Sequence, residues 1–366
     1  MDKNQISIFK LFLAADIGIF RFNNLLEVFK EPENILKASK TELMSIEGIG
    51  VKTAESIVNA AHSDDYEREI ELAAKNGIDI FLFNDEKYPK PLRDFDDKPI
   101  AVYIKGSLLD SDENSISIVG TRKMSAYGKR AAREFSSFFA QNSITVISGL
   151  ARGIDAQSHQ SALEKGGRSI AVLGNGILID YPPENAALKR EISQNGAIIS
   201  EFPLLRQPDK TTFPRRNRII AALSKAVLVI EAAKRSGALI TARYAAQYGK
   251  DVFALPQNIY SPYGEGANFL IQNGAEIALS PGNLLERLSL LSGIKIIKDE
   301  EAGNLKLEKD EREILKIIRD CERGIHIDLI ADKTGSEISQ ISDIVLSLEL
   351  KGFIESLPGQ FYTALK

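Results

Sequence analysis

The sequence predicts an α/β chain: a Rossmann-like doubly wound parallel sheet between an N-terminal helical domain of helix-hairpin-helix/SAM-like type and a C-terminal winged-helix domain. Three observations predict it. Six short runs rich in Val and Ile alternate with helical segments between Ser115 and Pro256. Residues 1–75 carry only helical patterning with a glycine hairpin. Residues 311–366 read as three helices followed by two strands around Pro358-Gly359-Gln360.

Composition narrows the function. A chain of 366 residues with 44% hydrophobic content can bury two or three cores. The formal charge of −4 excludes a protein coated in basic surface, so any polyanion must be met in a focused groove. One cysteine, Cys321, and three scattered histidines, His62, His159 and His326, point to neither an internal disulfide nor a zinc site. The first apolar run stops at Asp16 without a small-residue cleavage site, and no later run approaches membrane-spanning length. A cytoplasmic location without membrane contact is therefore expected.

Taken in order, IFKLFLAAD, FNNLLEVF, PENILKAS and TAESIVNAAHS are helices separated by Gly, Asn and Pro breaks. Within IEGIGVKTAESIV, Gly48 and Gly50 allow a sharp turn, and the amides that open the next helix could face a phosphate. A hairpin that only packs fits the same residues. Residues 76–290 form the sheet domain. Its opening, 76–114, reads as a lead-in broken by prolines, and ISIVG, ITVISG, SIAVLG, AIISE, AVLVIEA and DVFALP are strands buried on both faces. The acidic stretch around 291–310 reads as a linker. In the final domain the third helix offers Glu337, Ser339, Gln340, Ser342 and Asp343 with no arginine before Lys351. That is a poor surface for duplex phosphates and points to an accessory or protein-contact role.

In a sheet of this type ligands bind beyond the carboxyl ends of the strands. The segments there are Gly120-Thr121-Arg122, Ser148-Gly149-Leu150-Ala151-Arg152-Gly153-Ile154-Asp155 and Gly174-Asn175-Gly176. Their repetition beside Arg122 and Arg152 points to a cradle of backbone amides for anions. Phe213-Pro214-Arg215-Arg216-Asn217-Arg218 then sets three guanidinium forks around an asparagine that can read a base edge or cap a helix. Lys234, Arg235, Ser236 and Gly237 open another helix at the same rim, with Thr241 on its first turn. A solvated basic turn and ordinary glycine turns are the alternatives for any one segment. Asp155 reads as a helix cap or an acceptor for arginine, and His159 as a packed, hydrogen-bonded histidine.

The ordered motifs GTRKMSAYG, ISGLARGIDAQSHQSAL, AVLGNGILIDYPPENAAL, ISEFP, FPRRNRIIAALS, VIEAAKRSGALITARYA and GANFLIQNGA resemble the DNA-processing protein A family (DprA, also called Smf). The likeness extends along nearly the whole chain. It implies binding and protection of single-stranded DNA, loading of RecA during natural transformation, and no catalytic turnover or cofactor. It places Arg122, Ser148, Gly149, Gly153 and Arg215 to Arg218 in the DNA pocket, with Ser236 and Thr241 nearby. It also implies a homodimer, with Leu270 and Ile271 as a candidate contact. Two residues depart from the family pattern: Gln257 stands where glycine is common, and Asn175 where a smaller or hydroxyl residue is frequent.

The alternative is a nucleotide phosphoribohydrolase of the lysine-decarboxylase-like group, which uses a similar sheet. Its PGGxGTxxE hallmark is missing, SGALITA stands in its place, and Glu201 and Glu231 lack the spacing of an acid and base pair. A dinucleotide-dependent oxidoreductase would need a GxGxxG after the first core strand, and none is present.

Overall fold

The computed structural model describes residues 1–14, 17–292, 308–321, 324–350 and 353–364. The chain divides into two compact units, Met1–Ile296 and Ile297–Lys366. The expected linker at 291–310 lies for the most part outside the described residues, as does Lys351.

The first unit opens with six helices: α1 (Lys3–Leu13), α2 (Ile19–Phe29), α3 (Pro32–Lys37), α4 (Lys40–Met44), α5 (Val51–His62) and α6 (Asp65–Lys75). Asp2 caps α1 by accepting from the Gln5 amide, and the Gln5 side chain accepts from the Asp2 amide in return, which satisfies two orphan donors at once. Two helices were not anticipated. Five residues of α4 are too few to show a period, and α6 is so charged that Tyr66, Ile70 and Ala73 make only a narrow apolar stripe. Phe9, Leu11, Phe22, Leu25, Ile35 and Ile57 are fully buried in one cluster that continues into Ala101, Tyr103 and Ile198 of the sheet.

The sheet has nine strands: β1 (Ile78–Leu82), β2 (Ala101–Gly106), β3 (Ser115–Val119), β4 (Thr145–Ser148), β5 (Ser169–Leu173), β6 (Gly196–Ser200), β7 (Ala226–Val229), β8 (Asp251–Ala254) and β9 (Glu276–Ile277). Their order is β1-β2-β6-β5-β4-β3-β7-β8-β9, and every pairing from β6 to β9 is parallel. The six expected runs are β3 to β8. The lead-in does more than its prolines suggested: with a short α7 (Lys90–Arg93) between them, β1 and β2 extend the sheet antiparallel, Tyr103 opposite Ser200. An antiparallel edge needs no helical crossover, so no helix pattern announces it.

The intervening helices are α8 (Ala126–Gln141), α9 (Ile154–Glu164), α10 (Ala186–Asn195), α11 (Thr212–Leu223), α12 (Gly237–Gln247), α13 (Glu265–Gln272) and α14 (Pro281–Ser292). Val119, Ile147, Ile170 and Val229 pack with Ile219 and Ile220 of α11 and Ala242 of α12. Ile116, Ile118, Val146 and Leu228 pack with Phe135 and Phe139 of α8 and with Leu284 and Leu285 of α14. Coverage of both faces explains the unbroken apolar strands. From β3 the chain steps through β4 and β5 to β6 on one side, and β7 resumes on the other side of β3. That reversal opens a crevice beyond the carboxyl ends of β3 and β7.

The second unit is a winged helix. It comprises α15 (Lys309–Arg319), β10 (Ile325–His326), α16 (Ile327–Thr334), α17 (Ile338–Leu350), β11 (Ile354–Leu357) and β12 (Phe361–Ala364), with strand order β10-β12-β11. Ile314, Ile318, Ile330, Ile341, Val345 and Leu348 fill its core. Only the two-residue β10 escapes the sequence pattern. Ser339, Gln340, Ser342 and Asp343 are exposed at α17. Among the described residues no helix is long and apolar enough to cross a membrane.

Candidate nucleic-acid interface

The rim at the carboxyl ends of β3, β4 and β5 is assembled around one buried arginine. Arg216, on α11, is 4% exposed. Its Nη1 donates to the Gly149 carbonyl at 2.6 Å and to the Val172 carbonyl, which ties the ends of β4 and β5 together. Its Nε donates to Asn217 Oδ1 at 3.1 Å. Asp155, buried at the start of α9, supplies the opposing charge, and the backbone N–H groups of Ala151, Gly120 and Gly149 favour its ionised form. Burial pushes the Asp155 carboxyl up, and it pushes Arg216 down to about 10, while each group's charge holds the other's. Arg216 therefore remains a cation at neutral pH. Gly149 is required by close approach, since a Cβ there would lie 2.6 Å from both guanidinium Nη atoms and from Asp155 Oδ2. Gly153 takes a φ of 80°, where a side chain would also strike the Thr121 and Arg122 backbone, so the loop after β4 folds closely over the loop after β3.

Most of the residues expected in the groove are turned inward as scaffolding. Arg218 is buried and donates to the buried Glu201; Arg215, half-buried, donates to the same carboxylate at 3.1 Å and lies over the Phe202 ring at 5.4 Å. Asn217 Nδ2 donates to the Gly237 carbonyl at 3.1 Å, which joins α11 to the start of α12. Ser148 is fully buried and donates to the Ile118 carbonyl at 2.6 Å. Thr241 is buried. Ser236 caps α12 by accepting from the Ala238 amide, and Gly237 beside it is exposed. Lys234 is exposed but paired with Glu265 at 3.2 Å. His159 is a packed histidine: Nε2 accepts from the Leu150 amide at 3.3 Å and Nδ1 meets Ser169 Oγ at 2.7 Å. Burial pushes its imidazole down to about 3.

What faces solvent is a smaller set. Arg122 is exposed, its guanidinium 5.2 Å above the centre of the Phe213 ring, and it has no ion pair among the described residues. Phe213 in turn packs on Tyr181, ring centres 5.6 Å apart at 38°. With Gly149, Leu150, Arg152 and Gly174 these residues line a depression of about 20 Å³. That is far below the few hundred cubic ångströms that enclose a small ligand. The surface is a shallow, open platform rather than an enclosing pocket. Arg152 is exposed and held by Glu184, Nη2 to Oε2 3.1 Å. No carboxylate or imidazole lines the depression among the described residues, and Glu201 and Glu231 are both buried, the latter accepting from the Ser125 amide at 2.9 Å.

Asn175, one of the departures, is buried and braces its loop: its Nδ2 donates to the carbonyls of Gly176 and Ile179 at 3.0 and 2.9 Å. Tyr181 and Phe213 were not anticipated as site residues. An aromatic in the glycine-bearing loop after β5 and another beside the arginines that open α11 were the available signal. On α13, Leu270 and Ile271 are half-buried against their own core, and the neighbouring Phe269 is the more exposed apolar side chain.

Comparison with known proteins agrees with this architecture. The family model of DNA recombination-mediator protein A matches residues 79–289. A SAM-like helix-hairpin-helix tandem matches 15–63, and the DprA winged helix domain matches 298–360. Protein Smf of Escherichia coli is 39% identical over 282 residues, 75% of each chain. Protein Smf of Synechocystis is 34% identical over 94% of this chain and 95% of its own. The crystal structure of DNA processing protein A from Streptococcus pneumoniae superposes with a TM-score of 0.66 at 31% identity, over 78% of this chain and 98% of that one. The Helicobacter pylori protein, studied for its single-stranded DNA binding mode, gives 0.54 at 30% identity over 60% and 97%.

Proposed function

The chain belongs to the DNA recombination-mediator protein A family, and from that premise we propose that it binds and protects single-stranded DNA and loads RecA onto it during natural transformation. The observation that carries the reading is Arg122, an exposed cation without an acid partner among the described residues, laid on the Phe213–Tyr181 pair at the strand-end rim. A guanidinium meets a phosphate while the rings stack on an unpaired base, and a base within a duplex offers no free face to them. The solved relative from Helicobacter pylori, with its single-stranded DNA binding mode, supports the same ligand.

On this reading the chain acts as a non-catalytic binder in the cytoplasm. The amides of the loops after β3, β4 and β5, with Arg122 and Arg152, follow the backbone, and sequence tolerance follows from stacking rather than base-edge readout. A homodimer through α13, with Phe269 beside Leu270 and Ile271, would let two platforms hold one strand. The winged helix, poor in cations on α17, serves as an accessory or protein-contact domain. The test is competition between a labelled single strand and an unlabelled duplex across a salt series. Preference for the single strand, lost steeply as salt rises, is expected; equal competition by duplex would reject the platform. RecA filament assembly on a strand already covered by a single-strand-binding protein should quicken when the chain is added.

A further inference from the structure

The loop that follows β8, residues 255–264, carries the most exposed apolar side chains among the described residues of the first unit. Tyr260 is 88% exposed and Ile259 80%, and Tyr263 is also open to solvent. Large apolar groups displayed together at a loop tip call for a partner. The foot of this loop is fixed rather than loose. Gln257 Nε2 donates to the Ile230 carbonyl at 2.8 Å, its amide donates to Asn268 Oδ1 at 3.0 Å, and its carbonyl accepts from Asn268 Nδ2 at 3.1 Å. Gln257 is thus the anchor of the loop. Tyr127, itself exposed at the start of α8, donates its hydroxyl to the Pro256 carbonyl at 3.2 Å, so a third tyrosine stands at the loop's foot.

The loop lies on the same rim as Arg122, because β8 runs parallel to β7 and β3 and ends on the same side. Between the two places the rim carries Lys123 after β3 and Lys234 and Arg235 after β7, all exposed. Lys123 and Arg235 have no acid partner among the described residues, while Lys234 has Glu265. The flanks are therefore net cationic in a chain whose total charge is −4. That favours a polyanion with stackable faces over a protein surface.

Resting on the single-strand reading above, we infer that the 255–264 loop is a second stacking platform, in which Tyr260 and Tyr263, with Tyr127 at their base, hold bases of the same DNA strand that Arg122, Phe213 and Tyr181 hold at its other end. The span is compatible with one strand. From β5 to β8 the sheet makes four strand steps, roughly 19 Å at about 4.8 Å each. At a stacked rise of about 3.4 Å per nucleotide that is roughly six nucleotides.

The test measures anisotropy of labelled oligothymidylates of about four and about twelve nucleotides, bracketing the span, against the full chain, Arg122→Ala, and the double variant Tyr260→Ala with Tyr263→Ala. Both tyrosines are solvent-facing, and an unchanged thermal midpoint confirms that the fold is kept. The double variant should bind the longer strand roughly 5- to 100-fold more weakly and the shorter one as before. Arg122→Ala should weaken both, and Tyr260→Phe with Tyr263→Phe should restore long-strand binding. If the double variant binds both lengths like the parent while Arg122→Ala weakens both, the second platform is rejected and the first stands. If Arg122→Ala changes neither, the single-strand site itself fails and this inference with it. A double variant that alters sedimentation but not DNA binding would reassign the loop to a protein contact.

Discussion

Arg122, in the loop after β3, and Arg216, on α11, belong to one rim and have opposite surroundings. Arg122 is exposed, lies on an aromatic ring and has no acid partner among the described residues; Arg216 is buried, bonded to two main-chain carbonyls and set against Asp155. Identical side chains thus divide into one left open to solvent and one that builds the rim beneath it. The lesson is that the densest basic cluster in a sequence can be the frame of a site. A charge that has already found its partners inside the fold has little left to offer a phosphate.

Breaking the frame should have the largest effect. Arg216→Ala removes its bonds to two carbonyls and leaves a carboxylate uncompensated, and we expect a loss of about 3–5 kcal/mol of stability. Denaturant unfolding measures it; a change below about 1 kcal/mol would mean that Arg216 is not the tie between β4 and β5. Breaking the platform should cost binding and leave the fold alone. Tyr181→Ala should weaken single-strand binding roughly 5- to 100-fold with an unchanged unfolding midpoint, and a lowered midpoint would move Tyr181 to the structural side of the comparison.

The pattern of what could be read in advance follows from range. Strands β3 to β8 were legible because each is a short Val- and Ile-rich run bounded by turn residues. Two-residue β9 and β10 are too short for any period to register, and antiparallel β1 and β2 lack the helical crossover that announces a parallel partner. The position of the rim was legible from the glycines after β3, β4 and β5. The inward turn of Arg216 and Arg218 was not, because it depends on the carbonyls of Gly149 and Val172 and on Glu201, which only the folded sheet brings to α11. The Tyr181–Phe213 pair was hidden for the same reason: Tyr181 lies in the loop after β5 and Phe213 in the first turn of α11, which follows β6.

Acid sharpens the comparison from the frame side. His159 titrates near 6.5 when unfolded and at about 3 in the fold, so as pH falls the unfolded chain takes up the proton first. The stability tied to neutral His159 is complete above about 6.5 and is lost as pH falls toward 3. The loss should be on the order of 2 kcal/mol by pH 5. Asp155, pushed up, contributes the opposite slope, and the comparison with His159→Gln largely cancels it. Melting curves from pH 7 to 4 should show a shallower decline for His159→Gln; parallel curves would refute the assignment. The smallest effect is on the exposed side. Glu184→Gln frees Arg152 and should tighten single-strand binding a few-fold at low salt and hardly at all at high salt.

The division between frame and platform rests on Arg122. Single-strand affinity of Arg122→Ala, measured by fluorescence anisotropy across a salt series, should fall roughly 10- to 100-fold. The slope of log affinity against log salt should become shallower by about one, while the unfolding curve coincides with that of the parent chain. An unchanged affinity and slope, with the fold intact, would contradict the account.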